Sequence, residues 1–183
     1  PAGSGKFKEQ ETIEFTKVKA GSDTKTIYTL SEKGGLISDI DSNKVSGSDD
    51  ASLIGSINSN ISSSELGAII GSSGSQLIAS NKSLIIGGQV QKIHFPLDIN
   101  NSAIVGGTGN VIERLGSGNI LSGIIVGGRQ NRIKDGFDSI ILGGFVNVVS
   151  KSRSAIIGGT SNKVIHEDSV IIGMSNKTSD ADD

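Results

Sequence analysis

Residues with catalytic or metal-binding chemistry are few in this chain and lie far apart. Its 183 residues include two histidines, His94 and His166, and no cysteine. Metal sites and nucleophilic catalysis need several such groups to converge. The acidic pairs Asp49-Asp50 and Glu167-Asp168 are typical of solvated loops. We therefore predict that the protein is not an enzyme and holds neither a metal nor a cofactor.

Recognition of a ligand by surface loops is the function that these residue types leave open. The segment 94–100 carries a histidine, an aromatic ring and a carboxylate in a chain with only five Phe and one Tyr. A second irregular segment, 113–121, lies near several arginines, whose guanidinium groups suit carboxylates and sugar hydroxyls. The predicted ligand-binding residues are His94, Phe95, Asp98, Arg114, Arg129 and Arg132. Alternatively, Phe95 and Leu115 pack against a neighbouring chain.

Both segments interrupt a repeat that organises residues 36–178. The first glycine of each copy marks a register position; the step is 15 residues from Gly143 to Gly158 and 21 residues from Gly106 to Gly127. Such a period predicts stacked coils, with the longer insertions as surface loops. We expect an all-β protein, a parallel single-stranded β-solenoid (β-roll) of about nine coils. The register residues are Ser38, Gly55, Gly71, Gly87, Gly106, Gly127, Gly143, Gly158 and Gly173.

Two large aliphatic residues stand directly before each register glycine. Neighbouring strand residues point to opposite faces, so both faces of this strand are apolar. One face fills the coil, while the other forms an apolar stripe about 40 Å long, too large for a monomer to expose. Either residue of a pair fits either role. The predicted ridge of core and interface residues is Leu53, Ile54, Ile69, Ile70, Ile85, Ile86, Ile104, Val105, Ile125, Val126, Ile141, Leu142, Ile156, Ile157, Ile171 and Ile172.

A second strand is predicted in each coil, because an aliphatic residue returns six positions after the register glycine, as at Ile133 and Val164. Between the two strands one position is polar in every copy. Stacked amide side chains there cap turns or form a ladder, so we expect a structural role. The residues at this position are Ser59, Ser75, Gln91, Asn110, Asn131, Asn147 and Asn162.

The two ends of the chain depart from the repeat. Residues 1–35 are predicted to form a flexible lead and a β-hairpin, with strands at 12–19 and 24–30, that caps the first coil. The opening residues 1–5 read either as a linker or as the end of a collagen-like Gly-X-Y stalk. Residues 179–183 are predicted to be an acidic tail.

Charge and hydropathy limit the expected partners. The formal net charge is -2 and the basic residues are scattered along the sequence, which argues against nucleic-acid binding. No apolar run is long enough to cross a membrane. We therefore expect neither nucleic-acid binding nor membrane insertion.

The repeat units at 103–110 (Ala-Ile-Val-Gly-Gly-Thr-Gly-Asn) and 155–162 (Ala-Ile-Ile-Gly-Gly-Thr-Ser-Asn) resemble the head repeats of trimeric β-roll fibre proteins. Such heads occur in trimeric autotransporter adhesins, in the fibre tips of tailed phages and behind collagen-like stalks in large DNA viruses. The resemblance covers residues 36–178. It implies a parallel homotrimer packed through aliphatic ridges and placed at a virion or cell surface.

These observations together predict an extracellular, non-enzymatic fibre head that attaches to a host-surface receptor or glycan. Three copies of a weak loop site on one trimer would gain affinity through effective concentration. Two alternatives stay open. One is a β-solenoid polysaccharide-degrading enzyme, which needs carboxylates clustered on successive coils. The other is a purely structural domain that trimerises or caps a stalk.

Overall fold

The computed structural model describes the backbone of Tyr28–Leu30 and Leu36–Ser38, and residues 43–46, 48, 50–94, 101–114 and 122–178 in full. The elements of these described parts are short β-strands. In chain order they are β1 (Tyr28–Leu30), β2 (Leu36–Ser38), β3 (Lys44–Ser46), β4 (Ser52–Ile54), β5 (Asn60–Ser62), β6 (Ala68–Ile70), β7 (Gln76–Ile78), β8 (Leu84–Ile86), β9 (Lys92–His94), β10 (Ala103–Val105), β11 (Val111–Glu113), β12 (Gly123–Val126), β13 (Arg132–Lys134), β14 (Ser139–Leu142), β15 (Val148–Val149), β16 (Ala155–Ile157), β17 (Lys163–Val164) and β18 (Val170–Ile172).

The strands from β2 onward alternate between two parallel sheets. Even-numbered strands form sheet A, and odd-numbered strands from β3 to β17 form sheet B. Within a sheet, equivalent residues of successive copies lie side by side; Ile141, for example, lies between Ile125 and Ile156. The chain is therefore a parallel β-solenoid, as predicted.

The solenoid has about seven turns, fewer than the nine coils predicted from the repeat. The last copy accounts for part of the difference, because strand β18 is followed in sheet B only by an isolated bridge between Lys163 and Lys177. The register position of that copy is therefore present without a second strand.

At the N-terminal end, strand β1 pairs antiparallel with β2, with Thr29 opposite Ile37. Residues 1–27 lie outside the described part of the chain, and so does the acidic tail at 179–183. The flexible lead and the predicted hairpin that includes residues 12–19 therefore stay predictions.

The core consists of two facing columns of aliphatic side chains, one from each sheet. Burial of such a side chain contributes roughly 1.5–3 kcal/mol, so these columns are the main source of stability. In each predicted pair of aliphatic residues the first member faces this core, and the second faces outward. The core side chains are Leu53, Ile69, Ile85, Ile104, Ile125, Ile141, Ile156 and Ile171 from sheet A and Ile61, Leu77, Ile93, Ile112, Ile133, Val149 and Val164 from sheet B.

A tight glycine turn carries the chain away from sheet A in the later coils. Gly143 and Gly144 have φ values of 71° and 83°, a region that favours glycine. A Cβ atom at Gly143 would meet no neighbour, whereas one at Gly144 would overlap the carbonyl oxygen of Gly159 and the side-chain amide of Asn147. The second glycine is therefore required by the close approach of the next coil.

The predicted ladder of polar side chains is present directly after this turn. The backbone N–H of Asn147 donates to Oδ1 of Asn131 at 3.0 Å, and Nδ2 of Asn131 donates to the carbonyl oxygen of Gly143 at 3.2 Å. The same pattern continues to Asn176, whose N–H donates to Oδ1 of Asn162 at 2.9 Å. Each such Asn is bound to the next coil twice, which satisfies backbone groups that are buried between the coils.

Candidate functional site

The fold exposes two flat surfaces that differ in chemistry. Face A is the outward side of sheet A from β4 to β18. In each of these strands the residue that faces the core has an outward-facing residue on either side, and these outward-facing residues form face A. Its side chains are Ser52, Ile54, Ala68, Ile70, Leu84, Ile86, Ala103, Val105, Ile124, Val126, Ile140, Leu142, Ala155, Ile157, Val170 and Ile172. In these eight strands face A carries no charged side chain.

Face A is more exposed than a monomer normally permits for such residues. The third-position side chains from Ile70 to Ile157 are each between 36% and 42% exposed. At about 4.8 Å between strands, the eight strands span roughly 34 Å. Contiguous apolar surfaces beyond a few hundred Å² mark interaction sites in soluble proteins. Face A is therefore a contiguous apolar surface on the described part of the chain.

Face B is the outward side of sheet B, and it is polar. It begins with Lys44 and Ser46 and continues through Asn60, Ser62, Gln76, Ile78, Lys92, His94, Val111, Glu113, Arg132, Lys134, Val148 and Lys163. Five of these residues are Lys or Arg, and one is acidic. Glu113, the acidic residue, forms an ion pair with Arg132 on the next strand.

The described carboxylates lie mainly along a different edge of the solenoid. Asp50, Glu65, Asp135, Asp138, Glu167 and Asp168 all belong to the turns that lead from sheet B back to sheet A. Arg153, in the turn before β16, donates to Asp168 at 2.6 Å and to Glu167 at 2.7 Å, both in the turn before β18. The hydrogen bond from Arg153 holds the pKa of Asp168 below its usual value. Positive charge on face B and negative charge on these turns are thus separated in space.

Two of the predicted ligand-binding residues, His94 and Arg132, lie on face B, two strands apart and in neighbouring columns. The strand order places Glu113 beside His94 and Val111 beside Arg132. Partial burial lowers the pKa of His94 and Lys92 lowers it further, while Glu113 acts in the opposite direction. This environment favours the neutral form of the His94 ring.

Arg129 lies three residues earlier, on a separate column at the corner between the sheets. This column is held by isolated parallel bridges that connect Thr108 to Arg129 and Arg129 to Phe145. The Arg129 guanidinium stacks over the Phe145 ring, 4.5 Å from its centroid, as expected for a cation–π contact.

Arg114 follows strand β11 and is almost fully buried, with 4% of its surface exposed. That burial leaves the guanidinium little surface to present to a ligand. Phe95 and Asp98 lie outside the described residues, so their predicted roles stay predictions. The structure thus places His94 and Arg132 on face B and Arg129 on the corner column. The Arg114 backbone N–H donates to the carbonyl oxygen of His94 at 3.3 Å, but the Arg114 side chain is buried.

The described part of the chain contains no group of three His, Cys, Asp or Glu side chains that could hold a metal ion. The same residues include no helix with the length and apolarity of a membrane span.

Sequence reasoning missed the cationic character of face B, because its members are separated by whole coils. Lys92, Arg132 and Lys163 each stand five residues after a register glycine. Alignment of the copies on that glycine reveals the column, whereas inspection of the linear sequence shows isolated charges.

A scan against protein-family models found no match, and a search of curated proteins found no significant similarity to this chain.

Proposed function

We propose that this chain is the non-enzymatic head of a homotrimeric fibre that attaches to a surface receptor. In this assembly face A of each copy is covered by the other two copies, and face B points away from the shared axis. The apolar, half-exposed face A is the observation that carries the proposal.

The parallel solenoid suits self-association along its length. All coils rise by the same strand spacing, about 4.8 Å, so parallel copies present equivalent coils at the same height. Ile70, Val105 and Ile157 would then each lie near their own counterparts along the whole contact. The number three comes from the resemblance of the repeat units to trimeric fibre heads.

Burial of face A between copies would provide the free energy for association. Area removed from water contributes about 25 cal/mol per Å², and a long apolar face supplies this without charges that must be desolvated. A rigid trimer then displays three equivalent outer surfaces. Weak receptor contacts on each would combine by effective concentration.

Sedimentation equilibrium tests the assembly. We expect the mass of three chains for the unaltered protein. Leu142→Asp places a charge within face A and should abolish the trimer, because a carboxylate cannot be buried there unpaired. Val148→Asp is the matched control on face B, one strand later, and should leave the trimer intact.

Circular dichroism on the same samples distinguishes dissociation from unfolding. The proposal is supported if Leu142→Asp loses the trimer or the fold while Val148→Asp keeps both. A monomeric unaltered protein would overturn it, and so would equal damage from Val148→Asp.

A glycan array probed with the trimer and with the Leu142→Asp protein then tests whether attachment depends on multivalency.

A further inference from the structure

Face B carries a row of cations along the solenoid axis. Lys92, Arg132 and Lys163 occupy the same column of sheet B, and Lys44 stands in this column at its N-terminal end. Lys134 adds a charge in the neighbouring column. Among the described residues, Arg132 is the one cation of this group with a carboxylate partner, Glu113.

The spacing within the row is regular. Val111 separates Lys92 from Arg132, and Val148 separates Arg132 from Lys163. Consecutive cations therefore lie two strand spacings apart, about 9.6 Å. Like charges directly opposite each other destabilise a sheet, so this alternation keeps three cations in line at little cost to the fold.

The row produces a positive strip on a protein whose net charge is -2. The described carboxylates other than Glu113 stand on the turns between the sheets, as at Asp138 and Asp168, and not on face B. A surface of one sign raises the local concentration of oppositely charged ligands and speeds their association. The strip therefore favours an anionic partner.

We propose that face B binds a linear acidic polysaccharide, with its carboxylate or sulfate groups lying along the solenoid axis. A straight row of cations that crosses several coils fits an extended polymer rather than a compact ligand. In an extended polysaccharide with an acidic group on every second sugar, those groups recur at the length of a disaccharide, which is close to two strand spacings. Gln76, which is exposed in the same column, supplies an amide group for sugar hydroxyls.

The same surface is poorly suited to other polyanions. Single-stranded nucleic acid is bound through aromatic side chains on which bases stack, and the described face B carries no Phe, Tyr or Trp. Membrane-surface binding combines basic residues with an apolar anchor, whereas the large apolar surface of this chain is face A. This inference names the class of receptor and so deepens the proposed function. It rests on that proposal for the outward orientation of face B.

Fluorescence anisotropy with size-defined, labelled heparin and polyuronate oligosaccharides tests the inference, with neutral dextran and a length-matched DNA oligonucleotide as comparisons. Lys92→Gln/Lys163→Gln removes two charges from face B. Lys82→Gln/Lys151→Gln removes two charges from the turns and is the matched control. We expect the face B pair to weaken binding of at least one acidic glycan about tenfold or more, and the control pair to weaken it less than about twofold.

Glu113→Gln provides a change in the opposite direction. It removes the carboxylate from face B and releases Arg132, so binding of the glycan should tighten. The heparin and polyuronate arms distinguish sulfate from carboxylate recognition, and preferential binding of either supports the inference. Equal losses in both double variants would overturn it, since that result would indicate a general effect of net charge.

Absence of binding to both acidic glycans would also overturn the inference, and so would equal affinity for the oligonucleotide or for dextran. Sedimentation of the same samples keeps the two proposals distinguishable. A trimer that binds no acidic glycan contradicts this inference alone. A monomer that binds through Lys92 and Lys163 contradicts the proposed trimer and supports the glycan site.

Discussion

Sheets A and B are built alike on the inside and differently on the outside. Ile125 in sheet A and Ile133 in sheet B are both fully buried and face the same core. Their outward neighbours are Val126, on an uncharged apolar face, and Arg132, on a cationic one. The inward column of a solenoid strand thus determines the fold, while its outward columns are available to determine what each sheet contacts.

The largest effects should come from the core that the two sheets share. Ile125→Ala and Ile133→Ala each remove a fully buried side chain, and each should lower the free energy of unfolding by about 2–5 kcal/mol. Denaturant unfolding at fixed protein concentration measures both. Nearly equal losses would show that the two sheets contribute equally to one core. A much smaller loss at either position would break the comparison.

The turn that joins the two sheets should be the next most sensitive region. Gly143→Ala forces an alanine into positive φ with open space around it, at a cost of roughly 1–2 kcal/mol. Gly144→Ala carries the same strain, and its Cβ also overlaps the backbone of the next coil and the side chain of Asn147. Thermal or denaturant unfolding should therefore rank Gly144→Ala well below Gly143→Ala. Equal stabilities would contradict the role assigned to close coil contact.

A smaller effect is expected from the pH dependence of face B. The folded state holds the pKa of His94 below its usual value, mainly through burial, so the unfolded chain binds a proton more readily. Stability should therefore fall as the pH drops below the usual histidine pKa of about 6.5. Unfolding curves from neutral pH down to about pH 5, compared with those of His94→Gln, isolate this contribution. A substituted protein with the same pH dependence would exclude His94 as its source.

The smallest effect is expected on the turns that lead from sheet B to sheet A. Arg153 pairs with Glu167 and Asp168, but all three side chains are more than half exposed. Exposed ion pairs of this kind contribute little. Arg153→Ala should leave the denaturation midpoint unchanged, and added salt should not alter that result. A clear loss of stability would show that the turns support the sheets more than their exposure indicates.

The repeat period was sufficient to predict the fold and both core columns, because one aliphatic residue must fill the same place in every coil. It was not sufficient to orient a pair such as Ile125-Val126. Both members are apolar, and their orientation depends on where the strand meets the turn at Gly127. The number of turns was overestimated in part because the last copy keeps the register residue Gly173 but has no second strand after β18.

The candidate site was harder to predict than the fold. Arg114 was expected in an exposed loop, yet it is buried; a charged residue type gives no direct information about local packing. Lys92 and Lys163 belong to one surface although they are 71 positions apart in the sequence. They share a column only because the coils stack, and this becomes visible only when the copies are aligned.

The amide ladder has a further consequence for the length of the protein. Asn131 and Asn162 both bind the neighbouring coil through the same atoms that Asn147 uses. Removal of the copy between them would bring together two coils whose donors and acceptors already match. Each copy thus adds a fixed length of about 4.8 Å to the solenoid. Duplication or deletion of whole copies would change the reach of the molecule without altering either end.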